Sequence, residues 1–387
     1  VYKRQTHKTT VGDKREDMLA AFHAAEVRAD VVLITGGLGP TKDDLTKPLL
    51  AEYFNCEIQI NEAALAQVSA FFESKGLELS ELNRQQAALP VCCMPIENVL
   101  GTAPGMWFDR GKIVFVSMPG VPHEMKKMME STIIPKLQEK FHASPTVHRI
   151  IKTIGIGESW LSEKIASWED QLPSHIGLAY LPSLGQVKLR LTASGKTADE
   201  LRKDIGLEVD KLQPLAGEYI YGYDTDEIQS VVGNMLLDQC KTLATAESCT
   251  GGYLAHLISS VAGCSSYYVG SVIAYENTVK EALLGVQHQT LVEHGAVSEE
   301  TALEMAAGVR KATGADIGVA TTGIAGPSGG SDEKPVGTVW IAYDDGKKPY
   351  ARKLQLWKDR DINIRASAVA VLNMIRIRLS KSIEVRP

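Results

Sequence analysis

The sequence predicts an α/β protein made of two three-layer α/β domains joined by a small α+β module. Three observations lead there. Apolar runs ending in glycine or proline-glycine, each followed by a helical stretch, recur in the first and last thirds of the chain. Between them the texture changes to alternating, half-exposed strands. With 387 residues, 44% of them apolar and 23% charged, the chain can build two or three domains with separate cores.

The first domain is expected over 1–145. "VYKRQTH" carries no periodicity, and no strand precedes the helix expected near 13–28. The chain is therefore expected to begin inside a domain whose first strand and helix are missing or replaced. "DVVLITGG" reads as a buried strand, with helices near 42–55 and 61–75 and a second strand in "GKIVFVSMPG". That alternation implies a parallel sheet with helices on both faces. The small module is expected over 146–223. There "HRIIKTIGIG" and "GQVKLRLTAS" alternate as strands, and "TADELRKDIGLEVDKLQPL" is an amphipathic helix.

The last domain is expected over 224–387. Asp224 with Glu227 resembles a capping box, ahead of a helix face formed by Ile228, Val231, Val232, Met235 and Leu236. "KTLATAES" is a strand, "CTGG" a turn and "YLAHLISSVAG" a helix. The strand "DIGVATTG", the loop "IAGPSGGSDEKP", the strand "VGTVWIAY" and a helix through "NIRASAVAVLNMIRIRL" complete the domain.

The net charge of −6 argues against broad electrostatic capture of nucleic acid or anionic membranes. No apolar run reaches the roughly 18 residues of a membrane span. The six cysteines, Cys56, Cys92, Cys93, Cys240, Cys249 and Cys264, form no C-x-x-C pair. They are expected to be reduced thiols of a cytoplasmic protein.

Chemistry concentrates in the last domain. "SCTGG" and "TTGIAGPSGG" both follow probable strands, and ligands of open α/β sheets bind at the carboxyl ends of strands. Glycines there let backbone N–H groups approach a ligand, and the helix after the first turn offers its positive end to an anion. Neither loop has the phosphate-loop spacing of a nucleoside triphosphatase. Both also read as plain tight turns. "GPSGG" matches G-x-S-x-G, but a strand rather than a helix follows Ser328, so it is no nucleophile elbow. Tyr275, Asn277 and Lys280 sit just past a further apolar strand. A neutral lysine can take the proton of a serine such as Ser248, given an apolar pocket with Arg360 or Arg365 nearby. The competing reading is a solvated Lys280 on an exposed helix. Cys249 has no histidine near it and reads as a small buried thiol.

Five stretches, "TAESCTGG", "SVIAYENTVK", "HGAVSEETA", "TTGIAGPSGGSDEKPVGTVW" and "DRDINIR", closely resemble the carboxy-terminal domain of the CinA family, a nicotinamide-nucleotide amidohydrolase. "TTVGDKRED", "TGGLGPTKDDLT", "NRQQAALP", "GTAPGMW" and "MPGVPHEM" resemble its molybdopterin-binding-type amino-terminal domain, and the middle resembles its KH-like insert. The resemblance implies metal-free hydrolysis of the carboxamide of nicotinamide mononucleotide to nicotinic acid mononucleotide and ammonia. It implies Ser248 as nucleophile and Lys280 as base, with Tyr275 and Asn277 orienting the base or the ring. Thr250, Gly251 and Gly252 would hold substrate. Thr322, Gly323, Ala325 and Gly326 would cradle the nucleotide, with Arg365 on its phosphate.

For the first domain the resemblance implies a metal-dependent ADP-ribose pyrophosphatase. Gly36, Gly37 and Gly39 would meet a diphosphate, Asp43 and Asp44 would offer oxygen ligands to Mg²⁺ or a similar ion, and Glu124 would line the same cleft. These residues equally suit an ordinary helix start with acids at its positive end. The family's "GDELL"-type opening is absent. A homodimer is expected from family habit. Two rivals stand: a non-catalytic sensor of pyridine nucleotides or pterins, and a nucleic-acid binder. The second is disfavoured because "TIGIGESW" spaces its glycines as G-x-G, not as the G-x-x-G of a KH clamp.

Overall fold

The computed structural model describes residues 5–41, 43–141 and 145–383, so the aperiodic residues 1–4 lie outside it. It is a mixed α/β chain with four sheets, dividing into two compact units between Pro145 and Thr146.

The first unit runs α1 (Arg15–Arg28), β1 (Val31–Thr35), α2 (Thr46–Tyr53), β2 (Ile58–Ile60), α3 (Glu62–Ser74) and α4 (Glu81–Arg84). It continues through β3 (Ala88–Pro90), β4 (Met94–Ile96), β5 (Gly105–Arg110), β6 (Ile113–Met118), α5 (Pro122–Met128) and α6 (Ile134–Phe141). The main sheet has the order β1-β6-β5-β4, and β2 and β3 form a separate ribbon. Only β1 and β6 are parallel; β5 is antiparallel to both its neighbours. The sheet is thus mixed where a parallel one was expected. The two-residue link Gly111-Lys112, with Gly111 at φ +72°, leaves β5 and β6 no alternative to a hairpin. Successive residues of β5 and β6 point to opposite faces. Met106, Phe108 and Phe115 join Phe22, Leu49, Leu50 and Ala64 beneath α1–α3, while Trp107, Val114 and Val116 join Met128, Ile133 and Leu137 beneath α5 and α6. That makes three layers. β1 lies at the sheet's edge, so its apolar run is not fully buried as expected: Leu33 is 47% exposed.

One cysteine expectation is corrected. Cys56 and Cys92 are joined in a disulfide. The ribbon pairs Ile58 with Pro90, and extending that register by two residues sets Cys56 opposite Cys92. Nothing in their spacing announces this, because strand pairing brings them together.

The second unit begins with β7 (Thr146–Ile154), α7 (Glu158–Glu169), β8 (Ile176–Ser183), β9 (Gln186–Ser194), α8 (Ala198–Ala216) and β10 (Ile220–Tyr223), whose antiparallel sheet has the order β10-β7-β9-β8. β9 buries every second residue against α7 and α8, as its alternation predicts. Next come α9 (Ile228–Asp238), β11 (Leu243–Glu247), α10 (Tyr253–Ser259), β12 (Tyr268–Ile273), α11 (Asn277–Leu284), α12 (His288–Glu293) and α13 (Glu299–Thr313). β13 (Ile317–Gly323), β14 (Thr338–Asp344), β15 (Tyr350–Gln355) and α14 (Arg360–Ile383) close the chain.

The five-stranded sheet has the order β12-β11-β13-β14-β15, with β12, β11 and β13 parallel. One face, with Leu243, Val319, Val339 and Ile341, packs on α9, α10 and α14. The other is nearly all alanine (Ala244, Ala246, Ala320, Ala342), which lets α13 settle close to the sheet. A Cβ on Gly318 would stand 2.1 Å from the Ala306 carbonyl oxygen of α13. The two sheets of this unit are fastened together. The buried Arg376 of α14 donates to the Ile220 and Glu218 carbonyls, and Lys152 of β7 donates to Glu227. The expected capping box is absent: Asp224 turns back onto Arg149 and the Ile150 amide, and Glu227 caps α9 without a side-chain bond.

Candidate active site

Three parallel strands deliver the candidate residues to one edge of the five-stranded sheet. Ser248 follows β11, β12 leads to Tyr275, and β13 carries Thr322 and Gly323. This is the carboxyl edge where open α/β sheets receive ligands.

Ser248 is half-buried, and its amide donates to the Thr321 carbonyl at 2.9 Å. The turn closes when the Gly251 amide donates to the Ser248 carbonyl, with Gly251 and Gly252 at φ +58° and +97°. Those left-handed conformations are why glycines stand there.

The positive end of α10 is not open to a ligand. Glu247, wholly buried, accepts from the Gly252, Leu254 and Ala255 amides at 3.0, 3.1 and 2.7 Å and from the Thr250 hydroxyl at 2.7 Å. The Thr250 hydroxyl also meets Thr321 Oγ1 at 2.7 Å. Thr250 and Gly252 therefore serve the turn, with the Thr250 hydroxyl and the Gly252 amide already engaged. Sequence reasoning missed Glu247, although an acid between an apolar strand and a glycine turn that opens a helix is the signal that finds it.

Lys280 is 1% exposed, which excludes the solvated reading. Its ammonium donates to the Tyr275 carbonyl at 2.9 Å. Burial holds its pKa below the usual lysine value, against smaller opposing pulls from Glu276 and Cys249. Cys249 is a buried thiol whose pKa burial pushes up to about 12, which suits packing and not nucleophilic attack.

Tyr275 and Asn277 are exposed. Arg360 donates to the Tyr275 hydroxyl and to the Gly326 carbonyl, both at 3.0 Å, tying the segment after β12 to the glycine-rich loop. Arg365 instead pairs with Asp361, one turn away on α14, at 2.9 Å. Of the two arginines weighed from sequence, Arg360 is the one joined to the site.

The glycine-rich loop is held from several sides. Thr322 is buried and donates to the Ala296 carbonyl at 2.6 Å. A Cβ on Gly323 would stand 2.8 Å from the Thr338 carbonyl, so glycine there permits strand pairing. The Ala325 carbonyl accepts from Asn363 at 2.9 Å. Gly326, at φ +92°, precedes a cis Pro327, and Lys334 reaches the His294 carbonyl at 2.7 Å.

In the first unit, Gly36 and Gly37 adopt φ +96° and +68° at the end of β1, and a Cβ on Gly37 would stand 2.2 Å from Thr46 Oγ1. Gly39 faces Asp44, whose carboxylate accepts from the Thr41 amide and hydroxyl. Asp43 is exposed, and Glu124 accepts from Asn98 at 2.7 Å and packs over Gly101. Lys42 lies outside the described residues. Among the described residues no group of three or more His, Cys, Asp or Glu side chains is gathered to hold a metal. Two of these carboxylates, Asp44 and Glu124, are turned onto neighbouring donors. Among the described residues, no helix is long and apolar enough to cross a membrane.

Comparison with known proteins agrees with this order of elements. Residues 4–139 match the probable molybdopterin binding domain, 148–222 the damage-inducible protein CinA KH domain, and 225–379 the CinA C-terminal domain. A CinA-like protein of Cytophaga hutchinsonii is 50% identical over 374 residues, 97% of this chain and 90% of that protein. A putative competence-damage inducible protein of Halothermothrix orenii is 41% identical, over 92% of this chain and 86% of its own length. A crystal structure of a CinA superfamily protein from Klebsiella pneumoniae is 32% identical, covering 41% of this chain and 99% of that one, with a TM-score of 0.40. Carrying these three domains in sequence and half its aligned residues in common with the CinA-like protein of Cytophaga hutchinsonii, the chain belongs to the CinA family.

Proposed function

We propose that the second unit hydrolyses the carboxamide of nicotinamide mononucleotide, giving nicotinic acid mononucleotide and ammonia, with Ser248 as nucleophile and Lys280 as base. The observation that carries this reading is Lys280 itself: a fully buried amine, its pKa lowered by burial, on the helix that follows β12 at the same carboxyl edge of the sheet as Ser248. A buried lysine with no carboxylate bonded to it among the described residues is costly to keep unless its neutral form has work to do.

In this mechanism neutral Lys280 takes the Ser248 proton as the oxygen attacks the carboxamide carbon. The bonds already made within the turn leave the Cys249 and Thr250 amides, among the described residues, as donors for the oxyanion. Protonated Lys280 then delivers its proton to the departing ammonia, and water repeats the sequence on the acyl-enzyme. Tyr275 offers its ring to the cationic pyridinium, and Asn277 stands beside it. Gly323, Ala325 and Gly326 line the nucleotide, and Arg360 replaces Arg365 as the phosphate partner. No metal takes part. The proposed reaction belongs to pyridine-nucleotide salvage; a cytoplasmic location and a homodimer are proposed alongside it.

The test is ammonia release from the mononucleotide with and without chelator, for wild type, Ser248→Ala and Lys280→Ala, with ADP-ribose as a second substrate. Chelator-insensitive release lost in both variants is expected, with little or no diphosphate cleavage. Tight mononucleotide binding without ammonia release would favour the sensor instead.

A further inference from the structure

Glu247 has no cationic partner among the described residues, yet it is wholly buried. All four of its recorded bonds come from the eight residues that follow it, Thr250, Gly252, Leu254 and Ala255. A desolvated carboxylate held only by donors of a single turn fixes the shape of that turn. The turn contains Ser248. Its other fastening is Thr321, which accepts from the Ser248 amide through its carbonyl and meets the Thr250 hydroxyl through its own.

We infer that Glu247 is a positioning residue for the nucleophile. It clamps residues 250–255, and with Thr321 it fixes the Ser248 oxygen relative to the Cys249 and Thr250 amides. The inference rests on the reading of Ser248 given above. It goes further in assigning the rigidity of the turn to one carboxylate that does not touch the substrate. It also makes Thr250 a link in the clamp.

The test uses the full chain with Glu247→Gln. Glutamine keeps the size and one acceptor oxygen but replaces the other with a donor facing N–H groups, so at least one clamp bond is lost. The expected result is a kcat lower by about 100-fold, the scale of a small misplacement of reacting groups, with KM within about two-fold. Hydrogen exchange should quicken in the peptide spanning 248–255 and stay unchanged elsewhere. A kcat within about three-fold of wild type overturns the inference. Should Glu247→Gln fail to fold, Thr250→Val and Thr250→Ser decide: serine should recover most of what valine loses. Equal losses in the two, or no loss in either, overturn it. If wild type releases no ammonia, the reading of Ser248 fails separately. Exchange then decides for Glu247, and unaltered protection across 248–255 sinks the clamp.

Discussion

Replacing Lys280 with methionine separates catalysis from folding. The side chain is 1% exposed and donates once, to the Tyr275 carbonyl. Methionine fills nearly the same volume without the amine, so it avoids the cavity cost of roughly 2–5 kcal/mol that alanine brings at a buried site. The Tyr275 carbonyl loses its partner, at a cost of about 1–3 kcal/mol. Against this, the desolvation of the amine disappears, so the two terms nearly cancel and the melting temperature stays close to wild type at neutral pH. Their balance shifts with pH. The folded-state pKa of Lys280 lies below its usual 10.5, so its burial penalty is absent above the unfolded value, grows as pH falls from there toward the folded one, and is constant below it. Lys280→Met therefore gains stability relative to wild type as pH is lowered from the unfolded value to the folded one, and no more below that. Activity behaves otherwise. Loss of a general base costs roughly 10²–10⁴-fold in kcat, or about 3–5 kcal/mol of barrier. The assay is steady-state ammonia release alongside thermal unfolding at several pH values. Wild-type kcat/KM should rise with pH through the lowered lysine pKa. A well-folded Lys280→Met retaining activity within a few-fold would refute the reasoning.

Three other outcomes follow from the same geometry. Arg360→Gln should raise KM for the mononucleotide by roughly 10- to 100-fold, the range of a charge-assisted contact, whereas Arg365→Gln, which breaks only an exposed pair with Asp361, should leave KM within about two-fold. Gly37→Ala should destabilise the first unit by more than about 1 kcal/mol, because φ is +68° and Thr46 occupies the space, while ammonia release persists; calorimetry with an activity assay checks both. Reduction of the Cys56–Cys92 disulfide should lower the first unit's unfolding free energy by roughly 2–4 kcal/mol without changing deamidation, read by denaturant titration with and without reductant.

Much of this molecule is legible in its sequence, for local reasons. Apolar runs ending in glycine mark β1, β6, β11 and β13 because side-chain periodicity and turn stereochemistry act over a few residues. The same locality placed Ser248, Tyr275 and Lys280 just past strand ends, at the edge where ligands bind. What depends on neighbours distant in sequence was decided only by the tertiary structure. Leu33 is exposed where β1, among the described residues, pairs on one side only, with β6, which its own residues cannot specify. Cys56 and Cys92 meet through the register of β2 with β3, and Asp224 abandoned its helix for Arg149 on β7. The choice between a solvated and a buried Lys280 turned on packing around α11, and that between Arg360 and Arg365 on which one reaches the glycine-rich loop. Periodicity says which face of an element is apolar. Only the folded chain says which polar group ends up beneath it, and with whom.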